Sequence, residues 1–123
     1  MGRRPKRVLA SLEAVTEGVA ALDRECLSHY TMGNEELAAE VVGLFLVQMP
    51  SILAMLRSAT SPADWKFATH TLKGSAGAVG AMRITQIAAA LEMLDIADSE
   101  ARQPLVAALD AEVAAVREAA QSP

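Results

Sequence analysis

Apolar residues recur along this chain at three- and four-residue intervals, and the breaks between runs divide it into helices. Leu9, Leu12, Thr16 and Val19 keep that spacing over residues 8–20, although Gly18 weakens the run. Asp23 is suited to cap a short helix through Cys26, Leu27 and Tyr30, after which Gly33-Asn34 breaks the chain. Asn34 is a good cap for a long helix, with Glu35 and Glu36 at its positive end. The expected buried stripe of that helix is Leu37, Val41, Leu44, Phe45, Gln48, Ile52 and Leu56. Pro50 falls within the run. Because the stripe continues in phase beyond it, a kink is expected rather than a stop.

Ser61-Pro62-Ala63-Asp64 is a strong helix start, with Ser61 as cap, Pro62 at the first position and Asp64 at the third. Trp65, Ala68, Leu72, Ala76 and Val79 predict its buried side, and Gly80 its end. Ile84, Ile87, Ala88, Leu91 and Leu94 mark one face of a further helix that fades at Asp98-Ser99. Leu105, Leu109, Val113 and Val116 mark the last, which tolerates Pro104 only in its first turn. Short links between amphipathic helices predict an all-α, up-down-up-down four-helix bundle with a short additional N-terminal helix. The bundle is expected over residues 22–121. Residues 1–21 form a basic tail and extension to which the pattern assigns no role.

Composition agrees with that class. Hydrophobic residues make up 52% of the 123 and aromatics only 3%, and no alternating strand-like run exists. Charge is uneven: Arg3, Arg4, Lys6 and Arg7 are four of eleven bases, and Glu13 is the first acid. Without those four, seven bases face fifteen acids, a net of −8 over residues 8–123. So acidic a body argues against nucleic-acid binding, and the basic start reads as a solvated tail. Cys26 is alone, which fits a reducing compartment. Polar residues interrupt any signal-peptide core, and no run of 18 apolar residues suggests a membrane span. A soluble, cytoplasmic monomer is the expectation.

The chemistry centres on His70. It lies about 200° from Leu72 on the helix wheel and should point outward. Lys66 lies four residues before it, Lys73 three after, Gly74 four and Gly77 seven. The three that follow it fall within roughly 60° of the histidine. Each interior glycine costs about 1 kcal/mol relative to alanine, and access for a large partner is the reason inferred here. Two flanking cations disfavour a further positive charge on the ring. An uncharged imidazole is a nucleophile toward phosphorus, and the same cations suit an arriving phosphoryl group. Other chemistry fits poorly. The glycine spacing is neither a dinucleotide fingerprint nor a P-loop, and no strand precedes it. Two distant histidines and one cysteine, with no carboxylate at i±4 from His70, argue against a metal site.

The run His70-Thr-Leu-Lys73-Gly74-Ser75-Ala76-Gly77-Ala78-Val79-Gly80-Ala81 closely resembles the signature of the histidine-containing phosphotransfer (HPt) domain. Leu22-Asp23, Thr31-Met-Gly-Asn34-Glu-Glu-Leu37, Leu44-Phe45 and Leu91-Glu92 extend the resemblance. It implies that His70 is phosphorylated, that Lys73 steadies the phosphoryl group and that Gly74 admits the partner. Lys66, Phe67 and Gly77 complete the candidate access and docking surface, which would combine the 62–79 helix with part of the 35–59 helix. The implied partners are response-regulator receiver domains, with a hybrid sensor histidine kinase as a further candidate. No cofactor is implied for this chain, since Mg²⁺ would belong to the receiver. The implied role is a relay intermediate that moves a phosphoryl group between receivers.

Two alternatives stand beside it. A receiver-binding bundle that carries no phosphate would not need His70 and Lys73. A histidine kinase would need an ATP-binding domain, for which the chain leaves no room, and its dimerising helix usually has an acid after the histidine. Thr71 stands there instead.

Overall fold

The computed structural model describes residues 16–121. The basic tail and most of the 8–20 run lie outside them. Residues 16–19 form a turn in which the Val19 amide donates to the Thr16 carbonyl at 2.9 Å. Five helices follow: α1 (Arg24–Tyr30), α2 (Glu35–Ser58), α3 (Pro62–Val79), α4 (Met82–Glu92) and α5 (Ser99–Gln121).

Side-chain caps set most of the starts. The Asp23, Asn34 and Ser61 side chains accept from the amides of Cys26, Leu37 and Asp64 at 3.0–3.1 Å. Asp98 does the same for Ala101 at 3.1 Å. α3 stops at Gly80, whose φ of 79° is left-handed. A Cβ there would lie 2.7 Å from the Asp23 carbonyl oxygen, so only glycine fits. That closeness has a use: the Asp23 amide donates to the Gly80 carbonyl at 2.7 Å, tying the segment before α1 to the α3–α4 corner.

The four longer helices form a ring in which α2 and α4 each pack against both α3 and α5, and α1 lies against α2 and α3. This is the expected bundle with its short N-terminal helix. Leu72, Ile84, Leu91, Leu105, Leu109 and Val116 are fully enclosed at its centre. Trp65 is buried at one end. Its indole N–H donates to the carbonyls of Leu91 at 3.1 Å and Leu94 at 3.2 Å, anchoring the end of α4 to α3.

Three details depart from the pattern reading. In α2 the buried side is Val42, Phe45, Met49, Ile52, Leu53 and Leu56, while Gln48 and Leu44 are exposed and Leu37 is 39% exposed. The true stripe is rotated by roughly 70° from the expected one. The cause is that residues 41–56 carry no charge, so polarity does not single out one face. The helix runs on through Pro50. Its most apolar 18-residue window has mean hydropathy 1.8, enough by length and composition to cross a membrane, and a third of that window is buried in this bundle. Next, α4 ends at Glu92 rather than continuing to Leu94. Finally, α5 begins at Ser99, so Pro104 sits in its second turn. The proline's missing N–H leaves only the Glu100 carbonyl without its helical donor.

Candidate functional site

His70 projects from the outer face of α3, with 76% of its side chain exposed. Its helix neighbours Thr69 and Leu72 are wholly buried, so the backbone beneath the ring is held by the core. Thr69 keeps its hydroxyl satisfied by donating to the Trp65 carbonyl at 2.9 Å.

The last residue of α4, Glu92, reaches this face and bridges two side chains. Its Oε1 accepts from Lys73 Nζ at 3.1 Å, and its Oε2 lies 3.5 Å from His70 Nδ1. Lys73 holds the Glu92 carboxyl below the usual carboxylate range, His70 adds to the effect, and partial burial opposes it. Glu92 is therefore an anion at neutral pH. With Nδ1 turned toward it, Nε2 is the ring nitrogen left for solvent. This corrects the expectation of an imidazole ringed by cations alone. The carboxylate is absent from the helix positions around His70 because it arrives from the neighbouring helix, 22 residues on. Leu91-Glu92 belongs to the sequence resemblance, yet only the packing of α4 on α3 gives Glu92 its place.

The remaining candidates fall as follows. Lys66 is exposed on α3 and enters no ion pair among the described residues. Phe67 is 65% exposed and lines a shallow depression with Met55 and Ala59, at the α2 side of α3. Gly74 is exposed and Gly77 half-buried, and a Cβ at either would meet nothing within 4 Å. Neither glycine is required by contacts inside the described chain, in contrast with Gly80. Their helical cost of about 1 kcal/mol each is therefore not offset by packing inside the described chain.

Fold and site together define a helical bundle that displays one histidine, backed by a carboxylate and a lysine, on an open helix surface. The Hpt domain family model matches residues 40–119, and the chain belongs to that family. Hpt domains are histidine phosphotransfer modules of phosphorelays and interact with response-regulator receiver domains. No curated protein and no solved structure matches the chain.

Proposed function

We propose that this protein is a phosphorelay intermediate that accepts a phosphoryl group on His70 Nε2 from the aspartyl phosphate of one receiver and passes it to another. In the accepting step the Nε2 lone pair forms the N–P bond as the acyl-phosphate O–P bond breaks. The receiver's aspartate leaves as a carboxylate with the bonding pair. The ring gains positive charge, which Glu92 opposes across its contact with Nδ1. Lys73, three residues on along the same helix, would steady the transferred oxygens, and Lys66 would add positive potential. The second receiver reverses the step. Such transfer depends on in-line positioning and charge stabilisation, so a rigid display of one nitrogen suffices, with Mg²⁺ and the acceptor carboxylate supplied by the receiver. Neither kinase nor ATPase activity is assigned to this chain.

The docking surface in this reading runs from His70, Gly74 and Gly77 across Phe67 onto α2. There Leu44 is 61% and Val47 76% exposed in the uncharged stretch. A receiver would bind there as a transient partner of a monomer, in the cytoplasm where receivers operate.

The observation that carries this reading is the exposed His70 with Nδ1 facing Glu92 and two unobstructed glycines beside it. Incubation with a panel of phosphorylated receivers should transfer label to the wild-type protein and none to His70→Gln. Label on both proteins, or on neither across the panel, overturns it.

A further inference from the structure

A second concave site lies away from the His70 face, where the end of α2, the start of α3 and α5 meet. It is a groove of about 340 Å³, a volume suited to a small molecule. Val106 and Ala107 supply apolar wall, above the buried side chains of Leu56 and Trp65. Three charged groups line it. Arg57 and Asp110 neutralise each other at 2.9 Å. Arg102 is different: its guanidinium carbon stands 5.3 Å from the centre of the Trp65 ring, and it forms no ion pair among the described residues. A guanidinium held over a ring by cation–π attraction keeps its N–H donors, which can make a two-point bond to a carboxylate.

We propose that this groove binds a small monocarboxylate carrying an aryl or branched alkyl group. One uncompensated cation calls for one negative charge, and the walls call for an apolar body. A carboxylate matches the planar fork of Arg102, whereas a phosphate dianion would bring nothing for the walls to cover and more charge than one cation balances. None of the groove residues belongs to the relay site, so this inference stands independently of the proposed function.

Trp65 is the chain's single tryptophan, and its fluorescence reports occupancy directly. Titration with 3-phenylpropionate should give a saturable change, with a matching heat by calorimetry. The neutral 3-phenylpropionamide and the variant Arg102→Gln should each bind weaker by about tenfold or more. Ala107→Phe, which fills the groove while keeping Arg102, should also abolish the response, and His70→Gln should leave it unchanged. The inference is overturned by the absence of saturation up to about 10 mM, a range weak enough to include marginal ligands. Equal binding of the amide, undiminished binding by folded Arg102→Gln, or an equal response to inorganic phosphate would overturn it as well.

Discussion

Replacing Glu92 by glutamine keeps the shape of the side chain and removes the charge that faces both His70 and Lys73. Transfer from a phosphorylated receiver is expected to slow by about tenfold or more, the scale on which orienting partners act. Receiver affinity should change less, since Glu92 is largely covered by its partners on the surface. A rapid-mixing time course separates the two effects, and an unchanged transfer rate would remove Glu92 from the mechanism. The same variant tests the acid response. Because the folded-state carboxyl titrates below its unfolded value, its contribution to stability is complete above the usual carboxylate range. It is lost as pH falls through the lowered value. The difference in melting temperature between wild type and Glu92→Gln should thus be present at neutral pH and shrink below about pH 4. Gly74 offers an opposite pairing of effects. Gly74→Ala meets no atom of the described chain, so it should stabilise the fold by up to about 1 kcal/mol while slowing transfer. A melt and a transfer assay on one preparation decide it.

At the scale of elements, legibility followed how sharply each boundary was written. α3 could be read closely because Ser61 and Pro62 open it, Gly80 closes it, and small and large apolar residues alternate with polar ones between them. α2 was legible as a helix but not in orientation: sixteen uncharged residues leave the buried face to be chosen by the neighbours rather than by polarity. The α4–α5 link was misplaced for a related reason. Leu94 reads as a helical position, but its carbonyl and that of Leu91 instead receive the Trp65 indole, a partner 26 to 29 residues away. His70, Lys73, Gly74 and Gly77 lie on one helix, where spacing alone relates them. Glu92 lies on another, where only the assembled bundle does. Gly80 gives the element-scale test. Gly80→Ala must place a Cβ against the Asp23 carbonyl in a left-handed backbone, and should lower stability by more than about 1 kcal/mol. Thermal melts of Gly80→Ala and Gly74→Ala should therefore move in opposite directions.

For the molecule as a whole, the exposed apolar side of α2 is the feature that the bundle itself does not use. Leu44→Glu should leave the melting temperature almost unchanged, because its side chain is largely in solvent, yet weaken receiver binding. Calorimetric binding of an unphosphorylated receiver checks this, and equal affinity would move the docking surface elsewhere. The corner where Asp23 meets Gly80 has a different consequence. Leu22 and Leu27, on either side of that bond, are buried in the common core, although both precede the 40–119 stretch by which the family is recognised. Trimming the protein to that stretch would strip two leucines, worth about 1.5–3 kcal/mol each, from a fold of ordinary marginal stability. Such a fragment should melt well below the whole chain or lose its cooperative transition. What suffices to recognise this domain is smaller than what it takes to hold it together.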